Sequence, residues 1–290
     1  MPKLINSFFS KALDFTDFPG VKGNTSLLIE ERNAYFLNSL DPIAANRWNL
    51  KVIDLLTKRK SSIKLIRIGS SNDGGYLVPE SFCDSHTWVC IGLGDNIEFE
   101  NELAKRKCLV AGFDHTIQSR PRKLDKNVKY YAIGWGTSEE SQSNKSISTL
   151  ESMLFLSMQH SANESLWCLK FDIEGNEWKS LDQLETLKFK PAVIVCEIHG
   201  LLWGSTKYHN RNIVKDLEKL LKNYLICSIN GNNFSPYVKN FNYGLYDVAE
   251  ITLIRKDLEK LQPKAKPSDK NSNHRNNSFI EQMPIGRLIR

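Results

Sequence analysis

The chain has 290 residues, 41% hydrophobic and 25% charged, with a formal net charge of +6. That balance suits an ordinary globular protein with a sizeable core, and no run approaches the roughly 18 apolar residues that span a bilayer. The excess charge gathers in a tail (Lys256, Lys260, Lys264, Lys266, Lys270, Arg275, Arg287 and Arg290 against Asp257, Glu259, Asp269 and Glu281), so the near-neutral remainder argues against a specific nucleic-acid partner.

In chain order, Met1 to Phe18 sets Leu4, Ile5, Phe8, Phe9 and Leu13 among Ser, Lys and Asp. This is the pattern of an amphipathic helix that packs on the main domain, or alternatively lies on a membrane surface, not the unbroken apolar core of a secretory signal. Residues 1–60 read as a helical N-terminal extension. Its best helix runs from about Asn46 to Lys58, with Trp48, Val52, Leu55 and Leu56 on one face. Lys64 to Ile68, the turn Asn72-Asp73-Gly74-Gly75 and Tyr76-Leu77-Val78 predict a β-hairpin.

Residues 61–256 then become periodic. Apolar runs at Thr87–Leu93, Cys108–Phe113, Val128–Ile133, Leu166–Ile173, Ala192–Ile198, Tyr224–Ile229 and Ala249–Ile254 read as strands. Helix-like segments at Glu98–Lys107, Ser148–Gln159, Asn176–Leu187 and Asn212–Asn223 separate most of them. Strand–helix alternation implies right-handed crossovers and a mainly parallel, doubly wound α/β sheet. The last two runs, joined by an Asn-, Tyr- and Gly-rich stretch, fit an antiparallel pair. Residues 257–290 read as a basic, largely disordered tail, with Phe279–Ile289 a terminal segment of open assignment. Cys83, Cys90, Cys108, Cys168, Cys196 and Cys227 form no CxxC pair and lie mostly in apolar runs. They read as small buried hydrophobes in a reducing, cytoplasmic compartment rather than a zinc or disulfide framework.

Ligands of such sheets bind beyond the carboxyl ends of the strands. After the first run comes Gly92-Leu93-Gly94-Asp95-Asn96, whose glycines permit a tight turn under a ligand. The second run ends at Asp114, 22 residues after Gly92, an acid placed to accept both hydroxyls of an adenosine ribose. The third glycine position of a dinucleotide fingerprint is Ile97, and Asp95, Glu98 and Glu100 crowd the first helical turn. Those acids would repel a pyrophosphate and would suit a ligand bearing a sulfonium and an ammonium, or they simply complement the helix dipole. The fourth run ends in Asp172-Ile173-Glu174, the fifth in Glu197-Ile198-His199, the sixth in Asn230-Gly231-Asn232-Asn233, so three strand ends load one rim with acids, an imidazole and amides.

These residues resemble the FkbM-type and related methyltransferase-like families of S-adenosylmethionine (SAM)-dependent methyltransferases. The likeness runs from about Ile63 to Arg255. It is carried by Arg67-Ile68-Gly69 with Asn72-Asp73-Gly74-Gly75-Tyr76, by Gly92-Leu93-Gly94-Asp95 with Phe99-Glu100, by Phe113-Asp114, and most distinctively by Lys170-Phe171-Asp172-Ile173-Glu174-Gly175 with Glu177-Trp178. It implies a Rossmann-like sheet of seven strands whose last is antiparallel, SAM as methyl donor, and an oxygen nucleophile on a small molecule or glycan. Cofactor binding then falls to Asp73, Gly92, Gly94, Asp95, Asp114 and Asp172, and catalysis to His199, Glu197, Asp172 and Glu174. His199, oriented by Glu197, is the candidate base. The rival is a Mg²⁺ site of Asp172, Glu197 and Asn232. An acid after the third strand is missing; Ala132-Ile133-Gly134-Trp135-Gly136 stands there, which leaves backbone or aromatic contacts to an adenine. The alternatives are a metal-dependent glycosyltransferase using Asp172 and Glu174, and a non-catalytic Rossmann-like binding module.

Overall fold

The computed structural model describes residues 42–58, 61–158, 166–203, 212–239, 243–266 and 285–287. The helix expected over Met1–Phe18 and most of the loop at Leu201–Arg211 fall outside them. Among the described residues no helix is long and apolar enough to cross a membrane.

A seven-stranded sheet organises the chain. Its strands are β3 (Thr87–Ile91), β4 (Leu109–Phe113), β5 (Lys129–Tyr131), β8 (Trp167–Phe171), β9 (Val193–Ile198), β10 (Tyr224–Gly231) and β13 (Ala249–Arg255), in the order β10-β13-β9-β8-β3-β4-β5. The pairs β3–β4, β3–β8, β4–β5 and β8–β9 are parallel. Strand β13 inserts antiparallel between β9 and β10. This is a Rossmann-like α/β sheet with the antiparallel last strand that the sequence led us to expect. β3, β8 and β9 are buried along their whole length, because a parallel sheet covered on both faces must be apolar on both.

Side-chain alternation feeds two cores. Val89, Ile91, Leu169 and Phe171 face one core, closed by Val52, Ile53 and Leu56 of α1 (Pro42–Lys58), Leu150 and Met153 of α4 (Leu150–Met158) and Leu217 and Leu220 of α7 (Ile213–Asn223). Trp88, Cys90 and Cys168 face the other, closed by Phe99 and Leu103 of α2 (Glu98–Lys105) and by the hairpin of β1 (Leu65–Gly69) and β2 (Gly75–Pro79). Helix α1 starts at Pro42, four residues before its expected start at Asn46, and proline is well suited to a first turn where no N–H partner is needed.

The hairpin packs on the sheet: Thr252 Oγ1 donates to the Leu77 carbonyl at 2.5 Å. Two further strand pairs lie outside the large sheet. β6 (Gly134–Trp135) joins β7 (Ile147–Ser148), beyond the short α3 (Ser138–Ser143), and β11 (Tyr237–Lys239) joins β12 (Tyr243–Tyr246). The segment Asn176–Leu187 forms two short helices, α5 (Glu177–Ser180) and α6 (Gln183–Thr186).

Packing does not stop at Lys256. After α8 (Lys256–Glu259), Pro263 O accepts from Lys64 N at 2.8 Å and Ala265 N donates to Ser62 O at 2.7 Å. Further on, β14 (Gly286–Arg287) pairs with β12, and Ile285 packs on the first core. All six cysteines are free, and all but Cys227 are buried; burial pushes the Cys83 thiol up to about 12.

Candidate active site

The glycine turn after β3 is built for close approach. Gly92 has φ +75°, and a Cβ there would meet the Asp172 carbonyl oxygen at 1.7 Å, so the ends of β3 and β8 touch through a bare backbone. Gly94 has φ +57° with nothing within 4 Å of its would-be Cβ, which leaves open space above the turn. Asp114, at the end of β4, pins this turn. Its Oδ2 accepts from Leu93 N and Gly94 N, each at 3.0 Å, and its Oδ1 accepts from Thr116 N at 2.8 Å and Thr116 Oγ1 at 2.6 Å. Burial works against its charge, yet these donors hold the carboxyl below its usual range.

Beneath the turn lies a buried cation. Lys170 of β8 donates from Nζ to the Gly92 carbonyl at 2.5 Å and faces Glu100 of α2 at 3.8 Å. Glu100 is fully buried, so it serves Lys170 from inside the fold rather than complementing the helix dipole. Burial would lower the Lys170 ammonium, but Glu100 and Asp172 raise it above its usual value. Asp95 and Glu98 are exposed beside the turn. Asp73 is exposed as well, and its carbonyl accepts from Asn96 Nδ2 at 2.7 Å, which ties the hairpin to the glycine turn.

Further along the rim, register sets acids side by side. Asn230 of β10 pairs with Glu250 of β13, which pairs with Glu197 of β9. Cross-strand partners share a face, and Asp172 follows β8 next to β9. Asn230 Nδ2 donates to Glu250 Oε2 at 3.1 Å, and Asn232 Nδ2 donates to Glu197 Oε1 at 2.6 Å. Tyr76, from the hairpin, donates to Asp172 Oδ2 at 3.3 Å. Asp172 Oδ1 is buried with no hydrogen-bond partner among the described residues.

The turn after β8 is strained in one place: Glu174 has φ +54°, followed by Gly175 at +94°, a conformation that costs a non-glycine residue about 1–3 kcal/mol. It carries Glu174 Oε2 to 3.5 Å from His199 Nε2. Glu177, the first residue of α5, is fully buried and reaches His199 Nδ1 at 3.1 Å while accepting from Ile173 N and Gly175 N. Glu197 Oε2 stands 3.9 Å from His199 Nε2, and the His199 carbonyl accepts from Trp178 Nε1 at 2.6 Å. Burial would lower the ring, but Glu174, Glu177 and Glu197 lift it well above its usual value. Burial pushes Asp172 up to about 6 against the pull of Lys170 and His199, and raises Glu197 well above the carboxylate range with Asp172 adding to the rise.

The structure therefore brings Asp172, Glu174, Glu197 and His199 together, and sets Gly92, Gly94 and Asp114 beside them. It adds neighbours around one of them. The His199 nitrogens face Glu174, Glu177 and Glu197, where the order Glu197-Ile198-His199 suggested Glu197 alone as the orienting acid. Within the set of Asp172, Glu197 and Asn232, the Asn232 Oδ1 accepts from Phe234 N at 2.9 Å and its amide nitrogen donates to Glu197. Among the described residues, Asp172, Glu174 and His199 have ligating atoms within 4.8 Å of one another. Sequence reasoning did not single out Tyr76, Thr116, Glu177 or Glu250 for the site. Glu177, three residues after Glu174 where a helix begins, and Thr116, two residues after Asp114, were open to view; Tyr76 and Glu250 depend on hairpin placement and register.

The chain matches no protein-family model and no curated protein. Similar solved structures include a pre-rRNA processing fibrillarin of Methanococcus jannaschii (12% identity, 60% of this chain and 68% of that one, TM-score 0.34). The Streptococcus mutans protein SMU.1697c in complex with SAH is similar at 11% identity, over 70% of this chain and 94% of that one, with TM-score 0.28. The plantazolicin methyltransferase BpumL in complex with SAH is similar at 10% identity, over 78% and 90%, with TM-score 0.32. Likeness at this level carries neither a residue nor a reaction over to this chain.

Proposed function

We propose that the chain transfers a methyl group from SAM to a hydroxyl of a small molecule or glycan. The observation that carries this reading is one juxtaposition. At the switch in strand order, where open α/β sheets bind ligands, the Gly92-Leu93-Gly94 turn has open space above Gly94, with Asp114 on one side and Asp172 on the other. When bound, SAM supplies an electrophilic methyl on a sulfonium. The glycine turn lets such a ligand lie against backbone, and the acids along this rim favour a cationic ligand over a diphosphate. Asp114 serves a ribose if Thr116 Oγ1 turns away and frees a lone pair on Oδ1.

Displacement at the methyl requires the nucleophile in line with it, so most of the rate comes from alignment. An acceptor hydroxyl also loses a proton, and the geometry favours Glu197 to take it. Asn232 fixes its Oε1, while Oε2 faces the His199 ring at 3.9 Å. His199, held by Glu177, acts as a positioning residue beside Glu197. Calorimetric titration of the full chain with SAM, a UDP-sugar and NAD tests the reading. SAM is expected to bind at micromolar affinity and the other two not measurably. Binding of the UDP-sugar alone would replace this reading with glycosyl transfer through Asp172 and Glu174, and silence with all three would leave a binding module.

A further inference from the structure

Asp172, Glu174 and His199 each present a donor atom, and the three atoms lie within 4.8 Å of one another. Three features distinguish this group from an ordinary acidic rim. His199 has its two nitrogens divided: Nδ1 is bonded to the buried Glu177 at 3.1 Å, and Nε2 points at Glu174 from 3.5 Å and at Glu197 from 3.9 Å. A histidine that ligates a metal characteristically hands its other N–H to a carboxylate in this way, which fixes ring orientation and tautomer. The Nε2 separations are long for hydrogen bonds, whereas two ligands each about 2.0–2.1 Å from a tetrahedral ion sit roughly 3.3 Å apart. Independently, Asp172 Oδ1 is buried with no hydrogen-bond partner among the described residues, although its Oδ2 is taken by Tyr76. A buried carboxylate oxygen without a donor is costly unless something cationic meets it.

We propose that Asp172, Glu174 and His199 bind a divalent first-row transition ion, with Glu177 as the carboxylate that orients His199. One imidazole with two carboxylates favours Mn²⁺ or Zn²⁺ over Mg²⁺, whose sites are built of oxygen alone. The ion's part in catalysis rests on the methyl-transfer reading above: it would polarise the acceptor oxygen and leave Glu197, outside the ligand set, to receive the proton. The binding itself does not depend on that reading.

The test is a Mn²⁺ titration of the metal-stripped full chain, with free ion followed by electron paramagnetic resonance. Wild type is expected to show saturable binding that Zn²⁺ displaces readily and Mg²⁺ only in large excess. His199→Ala and Glu174→Gln should each weaken Mn²⁺ binding at least about tenfold, and Glu177→Gln by roughly 10–100-fold. The Glu174 side chain is 81% exposed, so Glu174→Gln stays interpretable even where a buried variant fails to fold. Absence of saturable Mn²⁺ binding, or wild-type affinity in Glu174→Gln, overturns the proposal. SAM calorimetry on the same stripped sample keeps the two readings apart. Binding of SAM without Mn²⁺ removes the ion and keeps the donor, and binding of Mn²⁺ without SAM does the reverse.

Discussion

At the residue scale, Asp114 pins the glycine turn, and that role can be separated from its proposed service to SAM. Its carboxylate already receives four donors, two from the glycine turn and two from Thr116. An asparagine would keep one acceptor and turn an N–H toward donors, so Asp114→Asn should cost roughly 1–3 kcal/mol of stability at neutral pH and weaken SAM at least about tenfold. Thr116→Val removes only the hydroxyl; SAM affinity should stay within about threefold of wild type or tighten. A tenfold loss in Thr116→Val would show that Asp114 needs its full set of donors and does not release one to a ligand. The pH dependence has a definite sign. The carboxyl is held below its usual 3.8, so its stabilising share is complete above that value and fades as pH falls through the depressed one. Denaturation at pH 7 and below pH 4 should therefore find the gap between wild type and Asp114→Asn narrowing in acid; a widening gap would contradict it.

At the scale of elements, the hairpin β1–β2 is part of the site. Its Tyr76 reaches Asp172, its turn is braced by Arg67 on the Ser70 and Asn72 carbonyls, and the Asp73 carbonyl is gripped by Asn96 from the glycine turn. The Asn96 link lies at the surface, so Asn96→Ala should leave the melting temperature within a few degrees. It should nevertheless lower SAM affinity about 3–10-fold, because the turn under the ligand loses its brace. Unchanged affinity by calorimetry would detach the hairpin from cofactor binding. Antiparallel β13 has an equally local consequence: it sets Glu250 between Asn230 and Glu197, extending the acidic row one strand further.

For the whole molecule, the chain end closes the fold. Pro263 and Ala265 hydrogen-bond to the segment Ser62–Lys64, Ile285 packs on the core, and Gly286–Arg287 pairs with β12. Two backbone bonds at about 0.5–1.5 kcal/mol each and one partly buried isoleucine at about 1.5 kcal/mol total roughly 2.5–4.5 kcal/mol. Truncation after Gln262 should then lower the melting temperature by about 5–10 °C. A truncated chain that melts with wild type would mean this edge contributes nothing.

The strand–helix rhythm from Thr87 to Ile254 was enough, by itself, to determine the class of fold, because strands buried on both faces must be continuous apolar runs and the crossovers between them must be helical in period. The same rhythm located the rim, since every polar strand end follows an apolar run: Gly92-Leu93-Gly94, Asp114, Asp172 and Glu174, Glu197 and His199. What those residues do to one another was decided only by the tertiary structure. His199 looked like a base oriented by one acid; the fold puts Glu174 and Glu177 around it as well, so three carboxylates share its two nitrogens. Glu100 looked like a helix-start acid, and the packing of α2 on β8 makes it the partner of Lys170. A side chain's proton affinity and ligand reach depend on neighbours brought in from other elements. Such neighbours are tens of residues away along the chain, and no local pattern encodes them.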